Sequence, residues 1–412
     1  MKIIDLFAGA GGLSEGFRRN NLDIIAHVEM DYNAALTLKT REAYYYCKEN
    51  KKEKLYANYI SGQISRDEFY SYIPENILNK VLNIEISNDS FKPITNKIDS
   101  LLNNEKVFGI IGGPPCQAYS IAGRSRAKTK MKDDPRNFLY KYYLQFIEYY
   151  KPSFFVFENV LGLLSAHGGK IYDDIQNEMK KLGYNIYCNI LDSSDFGVIQ
   201  TRKRIIINGW KKDLNISKPS FPKKEKIYTI KDLFEDLPTL HAGEINNQYK
   251  KNSTKCLQDL KIRKKNWNTL TYNVSRMVND RDSIIYSKCC ETLTNNKKQL
   301  KYNELPKKLI THKNKDSFLD RYKVIDYDGL SQTIVAHIAK DGHHFIHPDI
   351  NQCRSITVRE AARIQSFSDD YFFESSRTSA YKQIGNAVPP LLAEIICKEL
   401  LKQYNKRTVI TD

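Results

Sequence analysis

Cys116 stands in Gly112-Gly113-Pro114-Pro115-Cys116-Gln117, directly after the apolar run Val107–Ile111. Two glycines and two prolines restrict the backbone on the approach to this thiol. That is a costly way to place a cysteine that merely packs, although packing is the ordinary role of the residue type. If the run is a strand of a doubly wound sheet, the loop lies at the C-terminal edge, where such folds bind ligands. Glu158 ends a second run, Ser153–Glu158, and falls on the same edge. An acid there can move a proton, or can cap a helix or pair with a cation. Gln200, Arg202 and Arg204 alternate, so in an extended segment the three side chains face one way.

A second group lies at the start of the chain. Phe7-Ala8-Gly9-Ala10-Gly11-Gly12 follows a short apolar run, and its glycines let the backbone turn sharply and let a ligand approach. Glu29 comes 20 residues after Gly9, where a carboxylate can accept both ribose hydroxyls of an adenosine. The loop falls short of a full GxGxxG. NAD, FAD and S-adenosylmethionine all fit it, and a purely structural glycine turn is the plain alternative.

These groups need a frame. Strands are expected at Lys2–Ala8, Ile24–Glu29, Val107–Ile111, Ser153–Glu158, Asn185–Asp192 and Arg204–Gly209, with helices at Asn137–Tyr150 and Lys170–Leu182. Short apolar strands alternating with helices imply an α/β fold with a mostly parallel sheet covered on both faces. Residues 40–95 break the rhythm and read as an insertion. After Gly209 the alternation stops, and order returns at Arg354, before an amphipathic helix over Leu391–Tyr404. The expected division is a catalytic and cofactor-binding domain over 1–210, a smaller domain over 211–350, and a segment 351–412 returning to the first.

Composition bounds the rest. A chain of 412 residues exceeds one ordinary core. The net charge of +16 favours a polyanionic partner or a merely basic surface. Residues 211–320 hold 24 Lys and Arg against 13 Asp and Glu, a net of +11, so most of the excess sits in about a quarter of the chain. The eight cysteines contain no Cys-x-x-Cys pair and suit neither a zinc site nor a disulfide framework. With no signal-peptide pattern and no apolar stretch of about 20 residues, the chain reads as cytoplasmic with reduced thiols and no membrane association. His343, His344 and His347 cluster, but without a matching fourth ligand they read as a loop or a DNA-facing surface, and no metal is expected.

Taken together, Asp5–Gly12, Gly112–Gln117, Glu158-Asn159-Val160, Gln200–Arg204, Arg354–Phe367 and Gly385–Pro390 resemble, in order, the motifs of cytosine-5 DNA methyltransferases of bacterial restriction–modification type. The resemblance implies a Rossmann-like S-adenosylmethionine-dependent methyltransferase domain with a smaller inserted DNA target-recognition domain. It implies methyl transfer from S-adenosylmethionine to carbon 5 of a cytosine flipped out of double-stranded DNA. It also implies a monomer and a cognate restriction endonuclease that is encoded nearby but not bound. Carbon 5 of cytosine is a poor nucleophile, and thiolate addition at carbon 6 makes it enamine-like. That assigns Cys116 as the covalent nucleophile, with Gln117 beside it. Glu158 would hold a proton for ring nitrogen 3, and Asn159 would fix the loop backbone. By resemblance, Arg202 contacts the base carbonyl and helps hold Glu158, while Arg204 supports the cysteine loop.

The resemblance also carries the cofactor contacts. Gly9, Gly11 and Gly12 form the loop, Phe7 stacks on adenine, Met30 covers its other face, and Asp99 takes the adenine amino group. Pro114, Leu139, Asn386 and Val388 contact the cofactor. Thr357–Glu360 reads as a capping box opening a helix, and Arg354 and Arg363 either touch phosphate or pair internally. The run Lys261–Lys265 is expected on phosphates. A nicotinamide- or flavin-dependent oxidoreductase would leave Cys116 and the Gln-x-Arg-x-Arg run idle. A tRNA methyltransferase of the same fold would not need the basic stretch 211–320. A DNA-binding module with a decayed catalytic core would not keep Cys116, Glu158 and Arg202.

Overall fold

The computed structural model describes residues 1–115, 139–225, 227–312, 314 and 316–407. β1 (Lys2–Leu6), β2 (Asp23–Glu29), β3 (Val81–Asn83), β4 (Val107–Gly112), β5 (Phe154–Asn159), β6 (Tyr184–Asp192) and β7 (Lys203–Lys211) form one sheet in the order β3-β2-β1-β4-β5-β7-β6. β1 to β5 run parallel, and β7 runs antiparallel to both its neighbours.

The central strands read as largely apolar runs because both faces are covered, while β6 at the edge is mostly half-buried. Side chains alternate between the two cores. Ile3, Phe154, Val156 and Ile206 enter one, while Ile4, Phe155, Phe157, Ile205 and Ile207 enter the other. The Asn88–Leu102, Leu139–Tyr150 and Lys170–Lys181 helices close the second face with Ile94, Ile98, Phe146, Ile175 and Met179. The Gly12–Arg18 and Pro390–Arg407 helices close the first, through Leu13, Phe17, Leu392, Ile396 and Leu400.

Two expectations need correction. The stretch 40–95 is not simply an insertion, since it supplies β3 to the sheet and the first half of the Asn88–Leu102 helix, with Ile94, to the core. β3 has three residues, too few to show a period. What stands outside is a helical packet in which Tyr56, Tyr59 and Phe69 pack together, with Trp267 and Phe372 against them. The stretch 211–350 also divides. Ile230, Leu233, Phe234, Leu257 and Leu270 join the large core, whereas Ile285, Tyr286, Cys289, Tyr302, Leu309, Tyr322 and Ile346 form a cluster of their own.

The C-terminal segment returns by backbone contact. A Cβ on Gly12 would strike the carbonyl of Val388, and one on Gly16 would strike the backbone of Ala393 and Glu394. Asn20 adds a side-chain hydrogen bond of 3.0 Å to the Glu394 carbonyl. Helix propensity alone makes Gly→Ala at an interior helical site stabilising by about 1 kcal/mol. Here the sign reverses, because the two helices must separate: Gly16→Ala should destabilise the protein by about 1–3 kcal/mol. Denaturant unfolding at constant m checks this, and a stabilised variant would contradict it.

Candidate active site

Leu6 ends β1 opposite Gly112 at the end of β4. Strand order reverses between these neighbours, so the two loops leave a topological switch point side by side. The glycine loop turns at Phe7, Gly9 and Gly11, with φ of 55°, 54° and 75°. Positive φ at a phenylalanine is strained, as is common where backbone geometry serves a ligand. The Gly9 amide donates to Glu29 Oε2 at 2.7 Å and the Asp31 amide to Oε1 at 2.7 Å. Burial pushes the Glu29 carboxyl up, and those two amides pull it partly back. Among the described residues, chain neighbours apart, no atom lies within 4 Å of the Cβ position of Gly9, which leaves open space above the loop. Met30 is 62% exposed at this mouth, and Asn386 is exposed on the far wall beside the buried Val388.

Under the loop, His27 bridges two buried carboxylates, Asp5 at 3.3 Å and Glu42 at 3.1 Å, and Glu42 also pairs with Arg18. Burial disfavours the imidazolium. The hydrogen bonds and charges of Asp5 and Glu42 outweigh it and leave the His27 pKa raised.

On the catalytic side, Glu158 near the end of β5 pairs with Arg204 Nε at 3.0 Å. Gly113 passes so close that a Cβ there would stand 2.9 Å from Glu158 Oε2. Asn159 Nδ2 donates to the Pro114 carbonyl at 3.2 Å, the backbone role expected of it. Asn159 thus holds Pro114, and Glu158 stands close against Gly113, on the way to Cys116. Cys116 and Gln117 lie outside the described residues. Leu139, half-buried, opens the next helix.

Three assignments change. Arg202 does not hold Glu158 and, at 1% exposure, cannot reach a base. Its guanidinium donates to the carbonyls of Ile334, Gly385 and Ala387 instead, and Arg204 takes the partner assigned to it. Alternation aligned Gln200, Arg202 and Arg204 correctly but could not say which one meets the acid. Asp99 lies on the last turn of a helix that leads to the start of β4, and it accepts from Tyr149 at the end of the helix that leads to β5. It therefore belongs to the opposite edge of the sheet. Glu85, just past β3, is an exposed carboxylate on the correct edge: the neighbouring Ile84 amide donates to the Glu29 carbonyl at 3.2 Å. Finding it required β3, which the sequence pattern hid. The run Lys261–Lys265 is largely engaged internally, with Lys261 on Glu394, Arg263 on Asp236 and Lys264 on Asp370.

Arg354 and Arg363 pair internally. Arg354 forks onto Glu360 at 2.8 and 2.7 Å, and Arg363 reaches Asp236 at 2.6 Å and Asp369 at 2.5 Å. The Thr357–Glu360 capping box is present. The three histidines turn to different partners: His343 to Tyr286, His344 to the Asp320 carbonyl, and His347 to the ring of Phe234. Among the described residues no helix is long and apolar enough to cross a membrane.

The sheet and its loops define a Rossmann-like methyltransferase fold. The model of the C-5 cytosine-specific DNA methylase family matches residues 1–67 and 75–402, and the chain belongs to that family. The type II methyltransferase M.Bpa9945I of Bacillus paralicheniformis is 41% identical over 98% of this chain and 99% of its own. M1.HphI of Haemophilus parahaemolyticus is 30% identical over 97% and 86%. Among solved structures, an E. coli protein described as a DNA modification methyltransferase encoded within a prophage superposes with a TM-score of 0.61 at 24% identity, over 98% and 99% of the two chains. The chain is thus a DNA cytosine-5 methyltransferase of the type found in restriction–modification systems.

Two outcomes follow from this geometry. Glu85→Gln should weaken S-adenosylmethionine binding by about 10-fold or more, the scale of one charged hydrogen bond, while Asp99→Asn leaves it unchanged. Calorimetry on both variants decides, and the reverse ranking would restore Asp99. The raised folded pKa of His27 implies stability that is complete below about pH 6.5 and is lost as pH rises through that pKa. Unfolding measured across that range should lose less stability in His27→Gln than in the wild type.

Proposed function

We propose that this enzyme methylates carbon 5 of one cytosine within a specific double-stranded DNA sequence, using S-adenosylmethionine, through a covalent adduct on Cys116. The observation that carries the reading is the convergence at the switch point. Glu158, its partner Arg204 and the backbone approaching Cys116 stand beside the glycine loop and Glu29.

The residues at that loop fit the donor. Glu29 suits ribose hydroxyls, the space over Gly9 suits a ligand's close approach, and Phe7, Met30, Leu139, Pro114, Asn386 and Val388 are the further contacts assigned to it by family resemblance. S-adenosylmethionine supplies an electrophilic methyl group. The protein's own groups do the rest. Cys116 adds as thiolate to carbon 6 of the base and leaves again when the carbon-5 proton has been removed. Glu158 gives a proton to ring nitrogen 3 as charge develops, and Arg204 orients Glu158. The target base must leave the stack to reach these groups, at a cost of a few kcal/mol met by protein contacts.

The stretch 211–350 selects the sequence, with its separately packed part, 285–324 together with Ile346, as the reading head. The enzyme works as a monomer in the cytoplasm, beside an endonuclease that cuts the same site without binding to it. Sequencing of methylated DNA should show 5-methylcytosine at one position of one short sequence. Duplex with 5-fluorocytosine there should trap the wild type covalently, and Cys116→Ala should show neither trapping nor turnover. Turnover at the wild-type rate in Cys116→Ala would overturn the mechanism.

A further inference from the structure

Removing Arg202 from the base-contacting set leaves a buried guanidinium without a carboxylate partner. Among the described residues its hydrogen bonds go to backbone carbonyls, Ile334 at 2.8 Å, Ala387 at 2.9 Å and Gly385 at 3.2 Å, and its Nε has no partner there. Burial and the nearby charge of Arg204 push its pKa well down, against the weaker pull of the Glu158 charge. A cation so placed tolerates no loss of acceptors, because stranding it would leave a buried charge uncompensated.

The carbonyls belong to two segments with different duties. Ile334 lies within 211–350, the stretch assigned to DNA recognition, where that stretch enters the large core, and Gly385 and Ala387 flank Asn386 at the cofactor mouth. Gln200 doubles the link. Its Oε1 accepts the Ile334 amide at 2.6 Å, and its Nε2 donates to Gln365 Oε1 at 2.6 Å. Gln365 in turn donates to the carbonyls of Ile384 and Ala387, at 2.7 and 3.1 Å. Gly385 lets the segments touch directly, since a Cβ there would strike Val335 and Ala336. Around them Thr201 pairs with Ser331 through the backbone, and Thr333 Oγ1 donates to the Thr201 carbonyl at 2.6 Å.

We propose that Arg202, with Gln200, is a positioning residue that makes segment 331–336 and the turn 384–388 move as one body, so that DNA engagement and cofactor binding strengthen each other. Each segment offers acceptors to the same fork, and neither can shift alone without stranding the charge. The coupling is reciprocal by linkage.

The inference rests on the functional reading above, and the test separates the two. Binding of S-adenosylhomocysteine to the full-length chain is measured by calorimetry, alone and with saturating duplex carrying the sequence the wild type methylates. DNA should tighten wild-type binding by about 5-fold or more. In Arg202→Met that ratio should approach one, and Thr333→Val, which removes a single rim hydrogen bond, should give an intermediate ratio. If Arg202→Met does not fold, Arg202→Lys and Thr333→Val carry the measurement. A lower melting temperature with an unchanged ratio would reduce Arg202 to a structural role and overturn the inference, as would a wild-type ratio of one. A wild type that methylates no DNA would overturn the functional reading, and the inference with it.

Discussion

A guanidinium taken out of water must find oxygens at fixed angles, and the Val358–Ile364 helix is built on that requirement. Arg354, Arg359 and Arg363 on and beside it are at most 1% exposed. Glu360 answers the first, carbonyls and the Thr271 hydroxyl answer the second, and Asp236 with Asp369 answer the third. Asp236 also holds Arg263, so one carboxylate ties the 233–263 region to the C-terminal segment. Removing one member of such a pair costs about 3–5 kcal/mol, whereas an apolar replacement of the whole set could be neutral. What the set contributes is therefore orientation more than stability. The helix end it fixes carries Gln365, which meets Gln200, and Ser366, which accepts the Leu391 amide and starts the last helix.

The same device recurs on the cofactor side. Arg41 forks onto Glu15 in the Gly12–Arg18 helix and reaches Asp370 in the C-terminal segment, under the rings of Tyr44 and Tyr371. The helix carrying Arg41 leads into the outlying helical packet, and Tyr56 of that packet donates to the Asp370 carbonyl. The packet is thus anchored to the ionic network that also holds the glycine loop's helix. The loop and the C-terminal turn meet at Gly12 and Val388 without intervening side chains. Backbone contact of this kind leaves little freedom for the distance between the ligand walls.

Much of this was legible in the sequence. Buried strands announce themselves as apolar runs, and six of the seven did so; the sheet edge of Glu29, Glu158 and the Pro-Pro-Cys loop followed from where those runs end. Three features stayed hidden for physical reasons. β3 is too short for a period, and with it went Glu85. Alternation gives the facing of Arg202 and Arg204 but not their partners, because those arrive from residues 158, 334 and 385–387. The basic run at 261–265 reads as a solvated surface until the acidic partners Asp236, Asp370 and Glu394 fold onto it. Composition reports charge, and only the fold reports which charges are left over.

The contact of Gly16 with Ala393 and Glu394 has a consequence for how the protein is made. The first helix of the chain finds its packing partner some 377 positions later. A ribosome adding about 5–20 residues per second needs roughly 20–75 s to deliver that partner. Through that interval Leu13 and Phe17 lack their cover, and the glycine loop lacks the wall around Val388. Nascent chains therefore pass through a long stage in which most of the sheet exists and the ligand mouth does not, so competence is gained late and in one step.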